Sequence, residues 1–212
     1  MSEKRIGKAC FNQSVQFEKL IFFSNYIENG LCCMELNSNS ARLIELFPNE
    51  SLEEINLFSG IHLYDSQLFF VPSKAKNIVS YDLRNKTFSE YSIEELYKDV
   101  GWFSDRHKFE CSYLIGDALY MIGCTFPGIL KFNLLSKKIS YLGFEQQGDF
   151  EEGYFYKGFL KDGFIWCACM SHPKVLKLNT ANDSISIIDI QTKASGFSSL
   201  ILLNEFIYFG YI

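Results

Sequence analysis

Proline is scarce, with four in 212 residues, and no apolar run approaches the roughly 20 residues that a membrane-spanning helix needs. The opening residues, Met1 to Lys8, are charged and lead into polar sequence, so no stretch there reads as a secretory leader. Basic runs are missing too. The 20 Lys and Arg are scattered through a chain of net charge −5, which excludes the dense positive footprint of a phosphate-backbone binder. Only three histidines occur, His62, His107 and His172, and no two are spaced for joint ligation within one helix or turn. Cys32-Cys33 and Cys167-x-Cys169 do not match zinc-knuckle spacing, and no Gly-x-Ser-x-Gly nucleophile signature occurs. The expectation is therefore no metal, no cofactor and no assigned catalytic residue, with neither nucleic acid nor membrane as a partner.

What is abundant is aromatic. Twenty-one Phe and twelve Tyr within a 48% hydrophobic composition favour strands packed on strands. The seven cysteines, Cys10, Cys32, Cys33, Cys111, Cys124, Cys167 and Cys169, are odd in number and fall mostly inside apolar strand-like runs. They read as reduced core thiols of a cytosolic protein, so a cytoplasmic location is expected.

The same pattern recurs along the chain. Aromatic-aliphatic runs at Leu20-Ile21-Phe22-Phe23, Gln67-Leu68-Phe69-Phe70, Ala118-Leu119-Tyr120-Met121, Phe164-Ile165-Trp166-Cys167 and Phe206-Ile207-Tyr208-Phe209 are separated by steps of 47, 51, 46 and 42 residues. A second anchor follows each of the first four at a constant 15 residues: Leu36, Leu83, Leu134 and Thr180. Three residues before each first anchor stands a turn former, Glu18, Asp65, Gly116, Asp162 or Asn204, and pairs such as Asp65-Ser66, Gly116-Asp117 and Asp162-Gly163 are hairpin chemistry. Each unit thus reads as strand A, tight turn, strand B, loop, strand C, tight turn, strand D, with repeats at about 15–48, 60–93, 111–144, 158–190 and an incomplete 199–212. Strand B is apolar on both faces, as Leu68-Phe69-Phe70-Val71 shows, so both faces must be covered.

Four-stranded antiparallel units buried on both sides fit the blades of a propeller, and the fold expected over residues 1–212 is an all-β single repeat domain: a β-propeller or partial propeller of four complete repeats and a half. A β-sandwich is the alternative, but it has no reason to repeat every 47 residues or so. Units such as Gly60 to Ile93 and Cys111 to Phe144 resemble blades of kelch-like or WD-repeat-like bacterial propellers. The resemblance is architectural: the Gly-Gly pair of kelch repeats, the Trp-Asp ending and the Asp-box of sialidases do not occur. It implies a fold and carries no activity with it.

Antiparallel strands place the A–B and C–D turns on one rim, and the B–C loops and D–A connections on the other. All length variation falls on the second rim, where scaffolds carry binding residues. Its densest segment runs from Asp99 to Glu110, where Trp102, Arg106 and His107 would meet an anionic or planar ligand or a partner's acidic side chain, with Glu110 beside them. The plainer reading is a solvated loop with one packed Trp. Asp149, Glu151 and Glu152 form an acidic turn without calcium-loop spacing, followed by Tyr154, Tyr156 and Lys157 as surface contacts. Cys167 and Cys169 share a strand face and could meet His172 in the adjoining loop. Ser51-Leu52-Glu53-Glu54 and Ser92-Ile93-Glu94-Glu95 read as helix capping boxes.

Together these features favour a non-enzymatic binding or scaffold module presenting its loop rim and channel mouth to a protein, peptide or small ligand. The alternative is a carbohydrate-active hydrolase or lyase, which would require His107, Glu110 and Asp149 to converge. The fifth unit stops three residues after its strand B, and the fifteen N-terminal residues suffice for one outer strand but not two. An uncovered terminal blade is then expected to self-associate.

Overall fold

The computed structural model describes residues 9–38, 40–99, 107–144 and 155–211. Two compact units are distinguished, Met1–Gly101 and Trp102–Ile212. In the first, β1 (Val15–Phe17), β2 (Leu20–Ser24), β3 (Leu31–Glu35) and β4 (Ala41–Glu45) form one antiparallel sheet in chain order. A second sheet holds β5 (Phe58–Tyr64), β6 (Gln67–Pro72), β7 (Asn77–Asp82) and β8 (Thr87–Ser92), and a short helix, α1 (Glu94–Asp99), follows. The second unit contains the sheet β9 (Phe109–Ile115), β10 (Ala118–Gly123), β11 (Gly128–Asn133), β12 (Ile139–Gly143). Next comes the sheet β13 (Phe155–Lys161), β14 (Phe164–Cys169), β15 (Lys174–Asn179), β16 (Ile185–Asp189), and last a two-stranded hairpin, β17 (Phe197–Leu203) and β18 (Phe206–Tyr211). Four full blades and a half blade are what the repeat demanded.

The turn formers act through backbone conformation. Glu18, Asp65, Gly116, Asp162 and Asn204 all have positive φ, between 48° and 59°, and each opens a two-residue loop between strands A and B. At Asp162-Gly163 and Asn204-Glu205 both loop residues lie at positive φ, as a type I′ turn requires. The constant spacing of the anchors has a direct cause. The amide of each second anchor donates to the carbonyl of the second loop residue: Leu36 to Lys19 (3.2 Å), Leu83 to Ser66 (2.9 Å), Leu134 to Asp117 (2.7 Å) and Thr180 to Gly163 (2.9 Å). Inserting one residue between them would break this bond and slip the ladder. The residue before three of these anchors folds the next turn. Asp82 Oδ1 accepts from the amides of Arg84 and Asn85, Asn133 Oδ1 from Leu135 and Ser136, and Asn179 Oδ1 from Ala181.

A further repeated position was not recognised in the sequence. Ten residues before the first anchor of units two to five stands a phenylalanine, Phe58, Phe109, Phe155 or Phe197, each the buried first residue of a strand A. A register shift follows it in every case. The bulge lets the ring turn into the core while the strand re-enters its ladder. In β13 the re-entry is at Gly158, where a Cβ would stand 1.6 Å from the Trp166 carbonyl oxygen, so no side chain fits.

Packing explains the strand patterns. Strands β6 and β10 are almost wholly buried, whereas the outer strands β4, β8, β12 and β16 alternate with exposed positions. In the first unit, Phe22, Leu31, Cys33, Ile61, Leu68, Phe70, Val79 and Tyr81 share one core, with Phe47 from the β4–β5 connection packed among the rings of Phe58, Phe70 and Phe88. In the second, Ile122, Ile129 and Phe144 meet Phe155, Ile165, Cys167 and Leu176.

One expectation fails, and one lies partly outside the described residues. Of the N-terminal residues with room for an outer strand, the described 9–14 form none. Cys10 exchanges hydrogen bonds with the β2–β3 loop, Phe11 stacks on Phe23 at 4.5 Å, and the Gln13 side chain accepts from the Ile61 amide. These contacts take the place of a ladder. Of the two capping boxes, Ser92 receives the Glu94 amide and opens α1, but Ser51 closes only a single turn before Asn56, at φ 54°, redirects the chain into β5.

Candidate functional site

The rim of loops is built by the B–C connections, and the backbone holds them to the start of strand A. Thr125, in the β10–β11 loop, donates its amide and its hydroxyl to the His107 carbonyl (3.2 and 3.0 Å), and Cys124 donates to the Lys108 carbonyl (2.7 Å). The second sheet uses the same clasp, with Ser73 and Ala75 donating to Leu57. The last apolar residue after strand D is pinned to this rim as well: Phe144 to the Pro127 carbonyl, Ile190 to Pro173, and Phe47 to the Asn29 side chain. Each loop is thus fixed at several points and presents its side chains from a rigid base.

On this base His107 Nδ1 lies 2.8 Å from Glu110 Oε1; the carboxylate side chain is 12% exposed and the imidazole 42%. The carboxylate orients the ring and accepts from Nδ1, as an ion pair when the ring is protonated. Glu110 and Cys169 both bear electrostatically on Cys124, whose thiol burial pushes up to about 12. From Cys169 the polar contacts continue to the Ser171 hydroxyl (3.6 Å) and from there to His172 Nδ1 (3.0 Å). The second unit thus carries two polar groups at its B–C loops, His107–Glu110 clasped by Thr125 and Cys169–Ser171–His172.

Of the residues singled out in the sequence, His107 and Glu110 meet directly, His172 meets Ser171, and Lys157 Nζ stands 5.2 Å from the Tyr156 ring centroid on β13. Trp102, Arg106, Tyr154, Asp149, Glu151 and Glu152 lie outside the described residues. Among the described residues no three His, Cys, Asp or Glu side chains are grouped to hold a metal ion, so Cys167 and Cys169 do not join His172 as ligands. Sequence reasoning passed over Cys124, Thr125 and Ser171, which carry no motif and meet these partners through loop backbone geometry. In the first unit, a small polar cleft at the β3–β4 turn is lined by Met34, Glu35, Ser38, Ala41 and Arg42.

No protein-family model matches the chain, and no curated protein matches it. Solved structures do. The extracellular domain of BT4673 from B. thetaiotaomicron, described as a hybrid two-component system, aligns over 99% of this chain and 26% of its own length, with a TM-score of 0.65 and 14% identity. A second structure of that extracellular domain, described as a one-component system, gives 0.63 at 14% identity over 94% and 25%. The corresponding domain of BT3049 gives 0.61 at 14% identity over 99% and 27%. The chain thus spans about a quarter of the length of these neighbours. The cytoplasmic location expected from the sequence is corrected by them, since all three are extracellular domains and point away from the cytoplasm. Cysteine count misled here because these thiols are set by core packing: Cys32, Cys33, Cys167 and Cys169 are fully buried and unbridged, which reports the core and not the compartment. At 14% identity the likeness carries the fold alone, and that fold is the all-β, propeller-type array of four-stranded blades that the repeat described.

Proposed function

We propose that this chain is a binding module that recognises an acidic ligand or partner on the rim formed by its B–C loops and D–A connections. The observation that supports this most strongly is the His107–Glu110 pair, a half-exposed imidazole oriented by a nearly buried carboxylate on a loop base clasped by Thr125. The neighbours' place as extracellular domains of two- and one-component systems supports recognition over turnover. Trp102 and Arg106 belong to the same D–A connection in sequence and are proposed to extend the site, as are Tyr154, Tyr156, Lys157 and His172. We further propose that residues 1–212 work as one repeat domain, whose blades stand nearest the kelch-like and WD-repeat-like bacterial propellers.

The test is calorimetric binding of an acidic peptide and of an acidic oligosaccharide to the wild type, to His107→Ala and to an Arg106→Ala, Trp102→Ala double variant. Weakening of about tenfold or more in the variants, with no turnover of either probe, is expected for loss of a charge-assisted contact. Equal affinity in wild type and both variants, or cleavage of the oligosaccharide that His107→Ala abolishes, would overturn the proposal in favour of another face or of an enzyme.

A further inference from the structure

The core between the third and fourth sheets contains two thiols from different blades, Cys111 and Cys167. Cys111 lies on β9, next to Glu110, with Tyr113 two residues on and therefore on the same face. Cys167 lies on β14 of the following sheet, fully buried. Their sulfurs are 3.7 Å apart, although they are 56 residues apart in the chain. A disulfide needs about 2.05 Å, so closure brings the two sulfurs nearer by roughly 1.7 Å. The Tyr113 hydroxyl also reaches both sulfurs.

We propose that Cys111 and Cys167 are an oxidisable dithiol, closing to a disulfide that staples the third blade to the fourth beneath the ligand rim. The two members differ in exposure: Cys111 keeps some accessible surface, whereas Cys167 is fully buried. Cys111 is therefore the sulfur that meets an external oxidant.

With a small disulfide as oxidant, the Cys111 thiolate attacks one of its sulfurs, breaking that S–S bond and releasing one small thiol. Cys167 then loses its proton and attacks Cys111 Sγ, and the second small thiol departs. In sum, two protein thiols and one small disulfide become one protein disulfide and two small thiols, so the protein is oxidised by two electrons and the reagent reduced by two. The bridge fixes the residue next to Glu110 to the neighbouring sheet, which makes the oxidation state of the pair a property that the His107–Glu110 site shares.

The experiment is incubation of the folded, full chain with oxidised glutathione, followed by intact mass and non-reducing peptide mapping. The exposed Cys10 serves as internal control by taking up glutathione. The expected result is a loss of about 2 Da beyond the Cys10 adduct, with the Cys111 peptide joined to the Cys167 peptide, and no such loss in Cys111→Ser or in Cys111→Ala. Three results would overturn the proposal: Cys10 modified while Cys111 and Cys167 stay reduced, glutathione retained on Cys111 without closure, or a different pair such as Cys124–Cys169 joined instead.

Discussion

Phe47 packs into the core shared by the two sheets of the first unit. It belongs to no strand, yet its ring lies 4.4 Å from Phe58, 4.8 Å from Phe70 and 5.5 Å from Phe88, and only 2% of it is exposed. Replacing it with Ala removes a buried aromatic ring and leaves a hole walled by three others that are themselves held by strands, so little collapse can fill it. A loss of about 4 kcal/mol is expected, from the range of 3–5 for buried Phe→Ala. Phe47→Leu keeps most of the volume and should cost about 1.5 kcal/mol or less. Urea unfolding followed by far-ultraviolet circular dichroism measures both, with the midpoint converted through a common slope. A Phe47→Ala loss under about 1 kcal/mol would refute the reasoning, because it would mean that the ring does not fill the space between the sheets.

Three further outcomes are expected. His62 on β5 is pushed down to about 4 by burial, so the folded chain holds it neutral while the unfolded chain protonates it near its ordinary 6.5; stability is full above that value and falls as pH drops toward 4. Between pH 7 and 4.5 His62→Gln should lose about 2.5 kcal/mol less than the wild type in urea titrations, and parallel losses would contradict the burial. Asp183, at φ 59°, accepts from Tyr120 Oη (2.9 Å) and Lys131 Nζ (2.7 Å), joining the fourth blade's C–D turn to the third blade. Asp183→Ala should cost about 2 kcal/mol and Asp183→Asn about half that, since Asn tolerates the left-handed backbone and keeps an acceptor; equal losses would show the bonds to be idle. Finally, Phe206, Ile201, Leu203 and Tyr208 on the β17–β18 hairpin are more than half exposed, and we propose that they drive self-association. Sedimentation should rise with concentration and fall back in an Ile201→Lys, Phe206→Lys variant, whereas a wild type that sediments as a monomer throughout would end that proposal.

Much of the fold was legible because the repeat writes one physical requirement several times. A residue forced to positive φ recurs as Glu18, Asp65, Gly116, Asp162 and Asn204, and the 15-residue spacing of the anchors follows from a single amide-to-turn hydrogen bond made in four blades. Phe58, Phe109, Phe155 and Phe197 were equally periodic but went unnoticed, because a bulge shifts them off the alternating pattern that marks strands. The anchoring of residues 9–14 was not legible, because it rests on the Cys10 backbone and on the Asn12 and Gln13 side chains meeting specific partners, which leave no periodic trace. At the site, His107 and Glu110 were legible as chemistry close together in the chain. Cys124, Thr125, Ser171 and the approach of Cys111 to Cys167 were not, since loop closure and the packing of one blade on the next bring them together.

We propose that recognition in the second unit belongs to the end of its blades that carries the B–C loops, not to the end that carries the tight turns. Amide chemical-shift mapping during titration with the acidic peptide or oligosaccharide tests it most directly. Perturbations are expected at His107, Thr125, Ser171 and His172. Perturbations confined to the tight-turn rim, at Asp65, Gly116, Asp162 and their neighbours, would contradict it.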